Sequence, residues 1–350
     1  MGGLVSLLII SLLIFFHELG HFLFARLHGV KVEIFSIGFG STLFRKSIGE
    51  TEYRISLIPF GGYVKMKGQD DLNPSEYSTD SDSYNSKSPF QRFTILFGGP
   101  LFNFLLAFIL FVIVGYTGFQ SLAPVVGDLQ PNSPAIKSGL ERGDRILAIN
   151  GDEVESWKEM AKKIENSDGE LLFQIERGGA ILEIAITPKV ERATNIFGET
   201  IYKKMIGIAP SGDTIQIEMS LLEAIQYGFE KTISSATIIF QSVEKLITGI
   251  VSLDQVGGVV SIFQYTAKAS EQGITTLLIF TALLSVNLGV LNLLPIPALD
   301  GGHILFVFYE MVTRRRPSEN TMTNLTILGW VVLGSLMVVG LYNDIVRLFQ

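Results

Sequence analysis

The sequence predicts a mainly α-helical membrane protein: about four transmembrane helices, a membrane-associated β-hairpin region and one small extramembrane α/β domain. Three observations carry that expectation. Hydrophobic residues make up 47% of the 350 residues and charged residues only 17%, against about 25% charged in soluble domains. The shortage of charge is local, falling in four long apolar runs while the stretch from Pro124 to about Lys189 reads as ordinary soluble protein. Between the first two runs, Val30 to Met66 alternates and is rich in β-branched and aromatic residues, the pattern of strands. The net charge of -7 gives no basic surface for nucleic acid. The absence of cysteine excludes disulfides and thiolate metal sites.

The first run, Leu4 to Phe24, is apolar apart from Ser6, Ser11 and the group His17, Glu18, Gly20, His21. It is about long enough to cross a bilayer as a helix. A cleaved signal peptide would need a basic flank and a small-residue cleavage site; neither is present, so the run reads as a retained span. Lys31-Val-Glu-Ile-Phe-Ser-Ile and Glu52-Tyr-Arg-Ile-Ser-Leu-Ile follow as strands, punctuated by Gly38-Phe-Gly40 and Gly61-Gly62. Gly68 to Ser88, dense in Asp, Ser and Asn, reads as a solvated loop. Gly98-Gly-Pro100 opens a second span to about Tyr116, with proline suited to a first helical turn. The soluble stretch holds short strands, the turn Glu141-Arg-Gly-Asp144, a helix near Trp157 to Glu165 and a hairpin around Arg177-Gly-Gly179. Leu221 to Ile250 has helical periodicity of mixed polarity and reads as amphipathic or interfacial. Ile274 to Leu294 and Leu325 to Leu341 are the third and fourth runs. The chain therefore divides into an N-terminal membrane part (1–118), an extramembrane domain (119–192), a strand with amphipathic helices (193–272) and a C-terminal membrane part (273–350).

Orientation follows from the basic residues. Arg26, Lys31, Arg45, Lys46 and Arg92 lie between the first two runs, and Arg314-Arg-Arg316 between the last two. The positive-inside rule sets both segments in the cytoplasm and 119–192 outside.

His17-Glu-Leu-Gly-His21 is an H-E-x-x-H pattern. Residues four apart share a helix face, so both imidazoles reach one Zn²⁺, with Glu18 beside them as a proton acceptor. In a soluble helix the same residues would be a solvated face. Inside an apolar span, ionisable groups cost about 2.5–3.5 kcal/mol each on insertion scales and mark function. A catalytic zinc takes three protein ligands and keeps one open position. His28 is a poor third ligand, two turns past His21 and so roughly 10 Å along the axis; it reads as an interfacial residue. The longer H-E-x-x-H-x-x-G-x-x-H pattern fails, because Phe24 and Leu27 stand at the required Gly and His positions. Asp300 ends the run Leu288 to Leu299, within Asn292-Leu-Leu-Pro-Ile-Pro-Ala-Leu-Asp-Gly301. As a mere helix cap it would leave Pro295 and Pro297 unexplained, since broken helices at membrane depth line cavities or are buried in protein. His303, one turn on, competes with it, and spacing leaves both open.

These ordered motifs resemble the site-2 protease family of intramembrane zinc metalloproteases, in its bacterial regulator-of-sigma-E form. They are His17-Glu-Leu-Gly-His21, Gly38-Phe-Gly40 with Gly61-Gly-Tyr63, Gly99-Pro-Leu-Phe-Asn103, and Asn287 with Asn292-Leu-Leu-Pro-Ile-Pro-Ala-Leu-Asp-Gly301. The likeness covers nearly the whole chain. It implies that His17, His21 and Asp300 bind zinc, that Glu18 is the catalytic base, and that Asn287, Asn292, Pro295 and Pro297 shape the substrate cleft. It also implies a membrane-dipping hairpin from Val30–Met66. Within it, the strands near Gly38–Gly40, with Phe39 between the two glycines, and Tyr53–Leu57 read as an edge onto which an unwound substrate segment pairs. Ser133 to Gly151 resembles the core of bacterial PDZ domains, which add an extended peptide to a sheet edge; there is room for one such domain, where several relatives carry two. The implied substrates are single-pass membrane proteins, such as an anti-sigma factor or leftover signal peptides. The implied setting is the bacterial inner membrane, with the active site toward the cytoplasm. Two rivals remain at this point: a metal-free membrane scaffold built around the PDZ-like domain, and a prenyl-protein type membrane peptidase. The latter takes a glutamate as third ligand and lacks the Asn…Pro-x-Pro-x-Leu-Asp-Gly element.

Overall fold

Apolar runs interrupted by glycine and proline give helices that can approach closely, and the computed structural model, which describes residues 2–69 and 78–349, is built on such approaches. The chain forms two compact units. The first comprises residues 1–114, 224–246 and 252–350; the second comprises residues 115–223 and 247–251.

In the first unit, α1 (Gly2–Leu27), α2 (Pro89–Thr117), α7 (Ile274–Asn292) and α9 (Glu319–Leu348) are, among the described residues, the helices long and apolar enough to cross a membrane. The second does not open at Gly98-Gly-Pro100: it starts at Pro89 and Pro100 stands inside it, because the apolar residues Phe90, Phe93, Ile95, Leu96 and Phe97 carry the helix further back. Ile9 and Leu13 of α1, Leu106, Ala107, Leu110 and Phe111 of α2, and Ala282, Val286 and Val290 of α7 form one buried cluster. Between apolar helices in lipid, van der Waals fit rather than water exclusion holds the contact, which favours small residues. That is the case where α1 meets α2: a Cβ on Gly98 would come within 2.8 Å of the Gly20 carbonyl oxygen. α5 (Leu221–Ile247) buries only Ala224, Gly228, Thr232 and Ser235, a stripe of small residues. A Cβ on its Gly228 would meet Val112 of α2 at 2.6 Å. The large side chains Leu222, Phe229, Ile233 and Phe240 of α5 stay exposed. It is not among the four candidate spans.

α6 (Val259–Glu271) packs on α1 and α9. Its N-terminus is closed by Asp344 of α9, which accepts from the backbone N–H of Gly258 at 3.0 Å and of Ser261 at 3.1 Å. α7 stops at Asn292, and α8 (Asp300–Thr313) resumes after a non-helical segment carrying Pro295 and Pro297. The third apolar run is thus followed by a separate, shorter helix. Arg92 on α2 and Glu310 on α8 are both largely buried and meet at 2.7 Å.

The predicted strands between α1 and α2 are longer than the sequence suggests. They are β1 (Val32–Ile48) and β2 (Thr51–Met66), which among the described residues pair only with each other. The register is bent. Ile34 to Ile37 face Glu52 to Ile55 on one side and Gly62 to Lys65 on the other, while Thr42 to Ile48 pair with Thr51 to Ser56. Tyr53 to Ile55 are therefore flanked on both sides and are not the free edge the sequence suggests. The bend falls at Gly38 and Gly40, both at positive φ (90° and 81°), a conformation glycine takes without a Cβ penalty. Of the loop read from Gly68 to Ser88, residues 70–77 lie outside the described residues.

The second unit is a small α/β body. A four-stranded antiparallel sheet runs β6 (Asp152–Glu153), β5 (Arg145–Ile149), β7 (Leu171–Arg177), β8 (Ala180–Ile186). Its inward side chains Ile146, Phe173, Ile175 and Ile186 pack with Met160 and Ile164 of α4 (Trp157–Glu165), each fully buried apolar side chain contributing about 1.5–3 kcal/mol. The α4 start is capped by Ser156, which accepts from the Glu159 N–H. Later strands return to earlier ones. β3 (Phe119–Leu122) pairs with β12 (Thr214–Ile217), and β4 (Val126–Leu129) with β11 (Ile208–Pro210). β9 (Lys189–Thr194) pairs with β10 (Thr200–Met205). The turn Glu141-Arg-Gly-Asp144 is locked by Asp144, 1% exposed, which accepts two bonds of 2.7 Å from the Arg177 guanidinium and one of 2.8 Å from the Glu141 N–H.

Burial raises the Asp144 carboxyl, but Arg177 and the Glu141 N–H more than offset it and hold the group below the usual carboxylate range. A carboxyl lowered by folding stabilises the fold above its unfolded value of about 3.9, and that contribution is lost as pH falls through the folded value. Asp144→Asn is expected to cost about 1–3 kcal/mol. In purified protein the variant's thermal midpoint should be lower at pH 7, and its difference from the parent should shrink below about pH 4.

Candidate metal centre

Three ionisable side chains from two elements of the first unit converge. His17 and His21 project from one face of α1, and Asp300 is the first residue of α8. His17 Nε2 lies 3.2 Å from His21 Nε2 and 3.2 Å from Asp300 Oδ2, and His21 Nε2 lies 3.4 Å from the same oxygen. All three side chains are at most 16% exposed. Among the described residues this is the group of histidine and carboxylate side chains placed to hold one ion.

Whether a metal fits can be tested on this triangle. Zinc bonded tetrahedrally to donors at about 2.0–2.1 Å sets those donors about 3.3–3.4 Å apart, which the three separations match. The chemistry agrees. His21 Nδ1 is 2.9 Å from the Ile95 carbonyl oxygen, which only accepts, so Nδ1 carries the proton and Nε2 offers a lone pair. Asp300 Oδ2 is buried and receives no hydrogen bond among the described residues. Two imidazole nitrogens and a carboxylate oxygen converging on one buried point form a donor set that suits a cation at their centre.

The surroundings follow from local sequence. The Asp300-Gly-Gly302 start of α8 folds tightly on the preceding segment. A Cβ on Gly301 would strike the Leu293 and Leu294 carbonyls, and one on Gly302 the Ile296 carbonyl. Asp300 sits in the first turn, where the helix dipole favours an anion. Gly99 of α2 faces the imidazoles, and a Cβ there would overlap His21 Nε2 and come within 2.8 Å of His17 Cε1. Glu18, 9% exposed, lies beside the hairpin: a Cβ on Gly62 would come within 3.0 Å of its Cγ and 2.8 Å of the Ser36 carbonyl oxygen. The outer segment Gly62–Met66 of the bent sheet therefore borders the glutamate.

The other sequence candidates divide. Gly38, Phe39 and Gly40 mark the bend of β1. Ile37, next to Gly38, pairs with Gly62, and the Phe39 ring stacks on Tyr63 at 6.2 Å between centroids. Asn287 lies on α7 and Asn292 at its end, both half-buried. Pro295 is exposed and Pro297 half-buried in the segment before Asp300. His28 bonds Thr94 at 2.7 Å, and His303 packs edge-on against Phe306; neither joins the cluster. Sequence reasoning named Asn103 only as part of a motif. The structure buries it completely, with its amide 2.9 Å from His17 Nδ1. An asparagine within an apolar run is itself a signal, because polar groups at membrane depth are costly.

The profile of peptidase family M50 matches residues 5–336. The chain belongs to peptidase family M50. A protein of Campylobacter jejuni is 46% identical over 99% of this chain and 93% of its own length. The Geobacillus kaustophilus protein named zinc metalloprotease RasP is 33% identical, covering 99% of this chain and 98% of its own. The Bacillus subtilis protein named regulator of sigma-W protease RasP is 30% identical, covering 98% of each. Like its family, the chain is a zinc-dependent metalloprotease and an integral membrane protein.

Gly99→Ala places a methyl group against both imidazoles. Purified variant protein is expected to carry well under half of the zinc per chain found in the parent, with helical content unchanged by circular dichroism.

Proposed function

We propose that this chain hydrolyses peptide bonds in or beside the transmembrane segments of single-pass membrane proteins, with His17, His21 and Asp300 holding the zinc and Glu18 as catalytic base. The observation that carries the reading is the convergence of two imidazoles of an apolar helix and a carboxylate from a separate helix on one point, 3.2–3.4 Å apart, with a buried glutamate alongside. Zinc held there supplies Lewis acidity toward a peptide carbonyl and toward water. Glu18 accepts the proton of the attacking water and returns it to the leaving amine.

A transmembrane helix hides its carbonyls in intrahelical bonds, so a substrate must unwind before attack. The hairpin supports that step. Its outer segment Gly62–Met66 has no further strand beside it among the described residues and borders Glu18, and a free strand edge is a template for an extended chain. Gly38, Phe39 and Gly40 shape the bend that presents this edge. Asn287, Asn292, Pro295 and Pro297 line the substrate cleft, the amides bonding unwound backbone. Residues 119–192 act as a single PDZ-like domain that binds a peptide or a substrate's extramembrane part. Basic residues on the loops support a centre toward the cytoplasmic face of a bacterial inner membrane, with this domain outside. The name of the Bacillus subtilis relative supports a substrate that restrains a sigma factor; leftover signal peptides fit the same chemistry.

Glu18→Gln is expected to lower cleavage of a single-pass reporter by about 10²–10⁴-fold with zinc content near that of the parent. Asp300→Ala should lose the zinc itself. Undiminished cleavage by the first variant, or full zinc in the second together with an empty His303→Ala protein, would overturn these assignments.

A further inference from the structure

Asn103 on α2 is fully buried, and its side chain touches the candidate centre through one contact, the amide at 2.9 Å from His17 Nδ1. Its backbone is fixed from α7, where the buried Ser285 hydroxyl donates to the Asn103 carbonyl at 2.7 Å. The other end of the amide, Oδ1, has no partner among the described residues. A buried amide oxygen left unpaired costs about 1–3 kcal/mol, so its presence beside a metal-ligating imidazole asks for an explanation.

The proton count on the two imidazoles provides one. A neutral imidazole carries one N–H and one lone pair. His21 has its proton on Nδ1, held by the Ile95 carbonyl, which leaves Nε2 free. His17 presents the same Nε2 to the same point. For that nitrogen to ligate, the His17 proton must also sit on Nδ1, and the group it then meets is the Asn103 amide. An amide NH₂ facing Nδ1 would do the opposite: it would claim the Nδ1 lone pair and drive the proton onto Nε2, toward Asp300 Oδ2 at 3.2 Å. The two ends of an asparagine amide are nearly the same shape and exchange by a half-turn about χ2. Asn103 can therefore serve both protonation patterns, donating through Nδ2 to one and accepting through the now unpaired Oδ1 in the other.

We propose that Asn103 is a positioning residue of the metal centre: in the zinc-loaded protein its Oδ1 accepts the Nδ1–H of His17 and so commits His17 Nε2 to the ion. The inference rests on His17 being a zinc ligand. It gives α2 a part in the centre that the H-E-x-x-H pattern and Asp300 do not. It also pairs the two histidines with two different acceptors on the same helix, a backbone carbonyl at Ile95 and a side-chain amide two turns on. Such outer partners fix the tautomer and ring plane of a ligating histidine, and their loss typically costs 10–100-fold in metal affinity.

The test is chelator competition for zinc by the full-length protein in detergent, comparing the parent with Asn103→Leu, Asn103→Asp and His17→Ala. Leucine keeps the volume and offers no acceptor; aspartate keeps the acceptor. Asn103→Leu is expected to bind zinc 10–100-fold more weakly, while Asn103→Asp binds within about threefold of the parent or tighter. Parent-like affinity in Asn103→Leu, or an equal loss in Asn103→Asp, overturns the proposal. If Asn103→Leu does not fold, the aspartate variant decides alone. If His17→Ala keeps parent affinity, the ligand assignment fails first; if it empties while Asn103→Leu does not weaken, only the role of Asn103 fails.

Discussion

Everything in the membrane unit depends on holding three ionisable side chains at one point inside an apolar bundle. Outside water, each such group must find its partner within the protein. Here His17, His21 and Asp300 find one another at 3.2–3.4 Å. The price is close helix approach. Gly20 lies against Gly98, and Gly99 against the imidazoles, with no room for a methyl group at any of them. The broken segment between α7 and α8 solves the same problem from the other side. It ends one helix and starts another with an aspartate in its first turn, so that the carboxylate stands at a helix N-terminus aimed at the histidines.

The second α-helix does more than span. It carries Gly98 and Gly99 for close approach, the Ile95 carbonyl that orients His21, and Asn103 beside His17. Its first turns hold Arg92, whose buried pairing with Glu310 ties it to α8, the element that carries Asp300. A buried pair of this kind adds little net stability, because desolvation offsets attraction. What it does supply is registry between two helices, since leaving either charge unpaired is costly. The bent β1–β2 sheet completes the surroundings: its irregular register leaves Gly62–Lys65 as an outer strand, and Gly62 lies against Glu18.

The second unit is built by different physics. Its core of Phe173, Ile146, Ile175 and Ile186 is dry because water is excluded, and its charged turn at Asp144 is held by a bidentate guanidinium. The strands after residue 193 belong to this unit rather than standing apart, since β11 and β12 pair with β4 and β3. Local alternation marks such segments as strands, but long-range pairing has no local signal.

The sequence by itself determined the four apolar helices, the helix at Trp157–Glu165 and the hairpin at Arg177-Gly-Gly179, because hydropathy, capping serine and turn glycines act over a few residues. It also determined that His17, Glu18 and His21 share one helix, since spacing of four on an apolar run leaves little else. Spacing leaves Asp300 and His303 both open and the resemblance names Asp300; the tertiary structure is what turns Asp300 to the imidazoles. The two lie one turn apart, and which one points inward depends on where the Pro295–Pro297 segment sets the start of α8. It alone brought Asn103 to His17 and Gly62 to Glu18. These are contacts between residues 86 and 44 positions apart in the chain, fixed by glycine-mediated approach that no local window contains.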